Sequence, residues 1–434
     1  METRRTARFL TAVAVALSLA ACSSQAQNSG GGSVVELTFQ QFDPAAQVVG
    51  LQKAIDAFNS SHPNIKVTMN NVAFGDALNT FVREAGSGGG ADVLHTAFTW
   101  TADLAKNGLI RNLDDDIAKD APGAGIKDFI GLTINQYNNS TYAIPFTADD
   151  FALTYNADNF KAAGIASPPT SFEDLQADAA KLTTGTGADA KSGFCFPMAS
   201  ATGSEIWHFA NVYLWGHGAS FIKNDGGKWV PGATDAQLAD AITYFKTFVD
   251  KGYTPKNVLS IPLAGDAFIA GGLAKGNCAM AVQTPQQFTV SRKSNQNLYS
   301  ATLPAGPAGL QLQMGGRSLS INSNSKHPQE AWEFIRYLTS QDVFKQYYTN
   351  QFPAQTTLLK EHQFGPDLSS KPYQGYADSL VVARTYVEYA GAPAPIPTIW
   401  NAVAQNFNAA FVGQVTPDQA AKQLNAKFVQ LLKG

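Results

Sequence analysis

The chain has 434 residues, 44% of them hydrophobic and 15% charged, which is an ordinary globular composition too long for a single core. Its formal net charge of −3 argues against a nucleic-acid partner, which would favour a basic patch. After the first two dozen residues no apolar run approaches the roughly 20 residues of a membrane-spanning helix.

The chain opens with a cationic stretch, Thr3-Arg4-Arg5 and Arg8, and then an apolar run from Phe9 to Ala21. That layout predicts a secretory signal peptide over residues 1–21. The run ends in Leu19-Ala20-Ala21-Cys22, which resembles the bacterial lipoprotein box. The resemblance implies that Cys22 is acylated and that the protein is extracytoplasmic, anchored to the cell membrane by lipid. Residues 22–33, rich in Ser, Gln and Gly, read as a flexible tether.

Val34 to Phe39 reads as a buried strand followed by a polar loop, Gln40-Gln41-Phe42-Asp43-Pro44. Leu51, Ile55 and Phe58 recur at helical spacing up to His62-Pro63, and Ile65 to Met69 alternates as a strand. A helix over Phe74–Ala85 ends in a glycine run, and Ala91-Asp92-Val93-Leu94 starts another strand. Alternating strands and helices predict an α/β domain with a mainly parallel sheet, whose ligands sit in loops at the strands' carboxyl ends. Those loops are Gln40–Pro44 and His95–Asp103.

Further on, Tyr142–Pro145 and Phe151–Asn156 are strand-like and flank Asp149-Asp150. Ser171 and Asp174 have the spacing of a helix-opening cap. Ala241–Val249 and Pro328–Leu338 are amphipathic, Gly315–Ile321 is a loop entering a strand, and two helices close the chain near Trp400 and Thr416-Pro417-Asp418. With Cys22 assigned to lipid, Cys195 and Cys278 remain as a pair in an oxidising compartment. They are expected to form a disulfide, the alternative being two buried thiols.

Several stretches, in order, resemble the family 1 extracellular solute-binding proteins, the maltose-binding-protein-like receptors of carbohydrate ABC importers. They include Ala91-Asp92-Val93, Leu104-Ala105-Lys106-Asn107-Gly108-Leu109-Ile110, Tyr155–Ile165, Pro168–Leu175, Lys275–Met280, Lys326–Phe334 and the Trp400 segment. The resemblance implies a two-lobed α/β fold of the periplasmic-binding-protein kind, with a ligand cleft at a hinge. It implies a first lobe over 34–148 and 303–350, and a second over 149–302 and 351–434.

A sugar needs aromatic platforms for its C–H faces and carboxylate, amide or guanidinium groups for its hydroxyls. Candidates in the first lobe are Phe42 and Asp43, Trp100 and Asp103, and Arg317 after Gly315-Gly316. Asp149 stands where the family places an acidic ligand. In the second lobe Trp207 is favoured over Trp215, which reads as packing, and Trp400 matches the helix opening that carries a sugar-stacking tryptophan in the family. Each has a plainer reading: a turn or cap for Asp43, core packing for Trp100 and Trp400, a solvated hinge carboxylate for Asp149, a salt bridge for Arg317. Where maltose-binding proteins carry a tryptophan-rich turn this chain has Gln283-Thr284-Pro285-Gln286, which argues against maltodextrin.

The sequence has no Gly-x-Ser-x-Gly elbow, no His-Glu-x-x-His site, and no Lys-Ser/Thr after Gly86–Gly90 to make a phosphate loop. Asp149-Asp150 are adjacent, and neighbours on a strand point to opposite faces, which disfavours a paired-carboxylate glycosidase. The expected function is therefore that of a non-enzymatic, monomeric, lipid-anchored receptor without cofactor or metal. It would pass a sugar or oligosaccharide to the permease subunits of an ABC importer. A receptor for a polyamine or glycerophosphodiester is the alternative.

Overall fold

The computed structural model describes residues 33–43, 48–187, 190–200, 205–261, 266–348, 351–365, 368–382, 384–385, 389 and 391–433. The signal peptide, Cys22 and nearly all of the tether fall outside these residues. No helix among the described residues is long and apolar enough to cross a membrane.

In chain order the strands begin with β1 (Val35–Gln41), β2 (Ile65–Asn71), β3 (Val93–Ala97), β4 (Gln136–Tyr137) and β5 (Ser140–Thr141). There follow β6 (Ile144–Asp150), β7 (Ala152–Asn156), β8 (Ser192–Phe194), β9 (Ile222–Asp225) and β10 (Lys228–Pro231). The last are β11 (Cys278–Gln283), β12 (Leu298–Ala301), β13 (Gln313–Ile321), β14 (Phe352–Pro353) and β15 (Arg384–Thr385).

Two sheets carry the architecture. The first has the order β14-β6-β13-β3-β1-β2 with β15 beside β13, and the second has the order β12-β7-β11-β8. Both are mixed rather than mainly parallel: β1 runs parallel to β2 and β3, but β13 is antiparallel to β3 and β6. The departure arises because β13 and β6 bring the chain back from and out to the second lobe. Local strand–helix alternation does not reveal such long returns.

The chain changes sheets at Phe151. Asp149 and Asp150 complete β6, so the change comes two residues after the expected boundary. The boundary expected at 302/303 falls between β12 and β13. The one expected at 350/351 is displaced, because β14 and β15 pair with first-sheet strands β6 and β13. The segment 351–382 belongs to neither lobe alone. Its Phe352, Leu358 and Tyr376 share one apolar cluster with Phe39 and Phe334 of the first lobe and with Cys278 and Leu298 of the second sheet.

Uncapped helices occur in both lobes, Ile206–Gly216 and Ile396–Phe411 among them, and Ser340 caps Gln341–Tyr347 in the first, but the reciprocal capping boxes of the described helices all lie in the second. The helices Phe172–Leu182, Asp235–Asp250, Pro285–Ser294 and Pro417–Leu431 each open on a reciprocal capping box: Ser171/Asp174, Thr234/Gln237, Thr284/Gln287 and Thr416/Gln419. In the first lobe, Val49–Ser61, Phe74–Gly86, Thr101–Lys106, Asp114–Lys119 and Pro328–Leu338 have no side-chain cap. Distant polar ties compensate. Asp92 accepts from the amide and hydroxyl of Thr38 at 2.9 Å and from Ser325 at 2.7 Å, and Asn322 donates to the carbonyls of Gly89 and Ala91. Cys195 and Cys278 form a disulfide, Cα–Cα 5.8 Å, that joins the end of β8 to β11 across 83 residues of chain.

Candidate functional site

The end of β1, the middle of β3, the end of β6 and the middle of the antiparallel β13 bring four ionisable groups together. β1 extends through Gln41, so the loop begins later than the sequence suggested and the Gln41 side chain shapes it: its Nε2 donates to the Asp43 carbonyl, and its Oε1 accepts from the Asp43 amide at 2.6 Å. Asp43 is thereby turned into the sheet. Its Oδ1 accepts from Arg317 Nε at 2.9 Å, its Oδ2 accepts from Gln351 at 3.2 Å, and His95 Nδ1 lies 3.8 Å from Oδ2. Arg317 Nη1 lies 3.5 Å from Asp149 Oδ2.

The glycines ahead of Arg317 make this possible. A Cβ on Gly315 would stand 2.5 Å from Asp149 Oδ1, and one on Gly316 would strike the Thr147 carbonyl and the Phe98 ring. The β6–β13 register shifts between Arg317 and Ser318, with Phe146 as the extra residue. Bulges of this kind re-aim a side chain.

Burial sets the charges. Burial pushes the Asp43 carboxyl up, but His95 and Arg317 beside it outweigh that and hold it below the usual carboxylate range. His95 is pushed down to about 4 because burial of the imidazolium outweighs the attraction of Asp43, so it is neutral at neutral pH. Asp149 is raised, by burial first, with Arg317 opposing and Asp43 adding. Asp150 sits on the opposite face of β6, where burial and then the charge of Asp149 hold it well above the usual range. The two acids do point apart.

Phe42 is clamped in this assembly. It stacks on His95 at 5.2 Å, lies under the Arg317 guanidinium at 5.1 Å, and meets Trp100 at 5.0 Å. With Phe42 4% and Asp43 5% exposed, the pair forms the backing of the site rather than its face. Trp100, Asp149 and Arg317 are the half-buried groups in front, and Asp103 is exposed.

The second lobe repeats the arrangement with other chemistry. Trp400, half-buried on the helix Ile396–Phe411, packs on Trp207 at 4.9 Å and on His208 at 5.3 Å, and Phe151 packs on the other side of the group at 4.8 Å from His208. Trp207 is 1% exposed. The expectation that its ring offers a platform is therefore corrected: it supports Trp400 from behind, because all but one position of the helix Ile206–Gly216 is buried. Trp215 is packing, as its apolar setting suggested.

Between the lobes lies a cavity of about 110 Å³. It is lined by Phe98, Thr99, Ala102 and Asp103 on one side and by Tyr389, Ala394 and Ile396 on the other. Trp400 is one helical turn beyond Ile396, on the same face of its helix. The structure thus unites Phe42, Asp43, Trp100, Asp149 and Arg317 in one cluster and Trp207 with Trp400 in another, and it places Asp103 at the cavity between. His95, Gln351, Phe151 and His208 were missed. His95 had one available signal, since it opens the loop His95–Asp103 already singled out, although the structure places it in the middle of β3. Among the described residues no group of His, Cys, Asp and Glu could hold a metal ion.

The family model for the bacterial extracellular solute-binding proteins matches residues 45–343. A putative binding protein of Brucella abortus is 25% identical over 388 residues, covering 87% of this chain and 88% of its own. The uncharacterized lipoprotein of the oleD 5′ region of Streptomyces antibioticus is 26% identical over 352 residues, covering 77% of this chain and 72% of its own. The GacH receptor of Streptomyces glaucescens, solved unliganded and with acarbose, superposes with a TM-score of 0.72 at 25% identity, covering 93% of this chain and 99% of the receptor.

Proposed function

Because this chain belongs to the bacterial extracellular solute-binding protein family, we propose that it captures a sugar or oligosaccharide between its lobes and hands it to the permease of an ABC importer. The observation that carries this reading is the pair of half-buried tryptophans, Trp100 and Trp400, one in each lobe and each backed by a buried aromatic ring, beside a cavity lined from both lobes. Aromatic faces suit the C–H surfaces of a sugar, and the neighbouring Asp149 and Arg317 suit its hydroxyls. The acarbose complex of the similar GacH receptor supports a saccharide ligand. Capture needs no bond making.

A cavity of about 110 Å³ is well below the roughly 300–1,000 Å³ of small-molecule pockets. Uptake therefore requires the lobes to part about the crossings at Phe151 and between β12 and β13, the hinge motion of two-lobed binding proteins. The protein works as a monomer tethered through an acylated Cys22, a reading supported by the Leu19-Ala20-Ala21-Cys22 sequence and by the lipoprotein relative.

A thermal-shift panel of mono-, di- and oligosaccharides, polyamines and glycerophosphodiesters tests the solute. A ligand at 100 times its Kd stabilises the fold by about 2.7 kcal/mol. A response to polyamines or glycerophosphodiesters alone rejects the sugar reading. For the anchor, Cys22→Ala should move the protein from the membrane fraction to the medium, and an unchanged distribution rejects lipidation at that residue.

A further inference from the structure

The charges of the first-lobe site do not cancel. Asp43 and Asp149 are both in contact with Arg317, and His95, neutral at neutral pH, supplies no second cation. The network holds one more negative charge than positive. Its hydrogen-bonding capacity is just as unevenly placed. Arg317 Nε is taken by Asp43, and Nη1 by Asp149 and the Gly316 carbonyl, which leaves the two N–H groups of Nη2. Asp43 has both oxygens engaged, by Arg317 and Gln351, and 1% of its side chain is exposed. Only Arg317 and Asp149 of the four reach solvent, with 23% and 32% of their side chains exposed.

An arginine without acidic neighbours is the usual receptor for a carboxylate or phosphate, which it grips with two parallel N–H bonds. Here two carboxylates already stand against the guanidinium, and Asp149 has room there because Gly315 carries no Cβ. An incoming anion would meet the Asp149 carboxylate at the same edge. Like charges placed together are strongly unfavourable and are a common means of rejecting wrong partners. A hydroxyl can donate to Asp149 while its neighbour accepts from Nη2.

Resting on the sugar-binding reading, we propose that the Arg317–Asp149 edge is a charge-selective hydroxyl reader that admits neutral or amino-substituted saccharides and rejects those carrying a carboxylate or phosphate. Asp149 is the discriminating residue. Asp43, Gln351 and His95 act through Arg317 as positioning residues.

Titration calorimetry on the full chain tests this with maltose and cellobiose, their uronate and 6′-phosphate counterparts, and chitobiose as the amino member. The wild type should bind the neutral member of a pair at least ~10-fold more tightly than its anionic counterpart, a difference of about 1.4 kcal/mol. Asp149→Asn should narrow that ratio, while Asp149→Glu, which keeps the charge, should retain it. An anionic member bound as tightly as the neutral one by the wild type overturns the proposal, whether or not either variant folds. So does an undiminished ratio in Asp149→Asn. Silence from every saccharide overturns the sugar reading beneath it, a different result from a sugar bound without regard to charge.

Discussion

Trp100 in the first lobe and Trp400 in the second are both half-buried and both backed by a buried aromatic ring, yet the backing rings are held by different forces. Phe42 is fixed between an imidazole and a guanidinium, and that guanidinium is fixed in turn by Asp43 and Asp149. Trp207 is fixed by packing among Phe221, Tyr389 and Trp400, and Tyr389 is oriented by a 2.6 Å hydrogen bond to Asn211. The first lobe holds its tryptophan through charge, the second through apolar surface. The first should therefore respond to pH and charge substitution, and the second to loss of volume.

The largest effects should come from removing each anchor. Arg317→Met leaves Asp43 buried beside neutral His95, and stranding a buried charge costs about 3–5 kcal/mol. Trp207→Ala deletes a buried ring, also worth about 3–5 kcal/mol. Denaturant unfolding at two pH values separates them. The Arg317→Met loss should shrink towards pH 4, where Asp43 can protonate, while the Trp207→Ala loss should not change. Equal pH responses would dissolve the contrast between the lobes.

His95 gives the next effect. Its folded value of about 4 lies below the ordinary 6.5 of an unfolded histidine, so the unfolded chain binds a proton over that interval and the folded chain does not. Stability from this group is complete above pH 6.5 and is lost as pH falls towards 4, by about 3 kcal/mol in all. Raised Asp149 and Asp150 act in the opposite sense, adding stability as pH falls. The measurement is therefore a difference: the stability of His95→Gln should fall less steeply between pH 7 and 4.5 than that of the wild type. Parallel profiles would mean that His95 is solvated or paired otherwise.

Smaller again, and confined to binding, is Trp400→Ala. Loss of a stacking aromatic should weaken saccharide affinity by about 2 kcal/mol, or roughly 30-fold. Its melting temperature should change little, since Trp400 sits only at the edge of the second-lobe cluster. Trp100→Ala should behave alike. Unchanged affinity in both would remove the tryptophans from the site.

What the sequence disclosed follows the range of the contact, local signals being readable in both lobes and distant ones, the Cys195–Cys278 pairing apart, in neither. Ser171 with Asp174, the Thr416-Pro417-Asp418 opening and the bounds Pro328–Leu338 were readable because caps and helical periodicity act within one or two turns. The first-lobe candidates were chosen because strand ends are loops where ligands bind. Their partners were not legible. Nothing local shows that Asp43 meets Arg317, 274 residues away, or Gln351, 308 away, and those contacts turn a presumed ligand into a support. Trp207 was misplaced for a related reason: polar residues precede it, but the helix it opens is almost wholly buried. The mixed sheets and the bridging segment 351–382 rest on pairings between residues far apart in the chain, which periodicity cannot report.

The smallest expected effect tests that division at the level of single helices. Thr234 and Thr416 open their helices with reciprocal capping boxes, the hydroxyl accepting from the amide three residues on while the glutamine side chain reaches back to the threonine amide. Removing such a hydroxyl typically costs ~1 kcal/mol. Thr234→Ala and Thr416→Ala should each lower stability by about that amount, and the double variant should be close to additive, because the Thr234 end of its helix meets Asn425, well along the other helix, rather than Thr416. In the first lobe Val49–Ser61 starts at Val48, without a side-chain cap. Its hold comes instead from distant contacts, such as Asn59 donating to the Val67 carbonyl and accepting from the Val67 amide at 2.7 Å. Asn59→Ala should therefore cost as much as a lost cap, although no capping rule identifies it. Denaturation midpoints of the three variants decide the matter. If Asn59→Ala is silent while the threonine variants are not, local caps carry the stability and the long-range ties of the first lobe serve only to position its site.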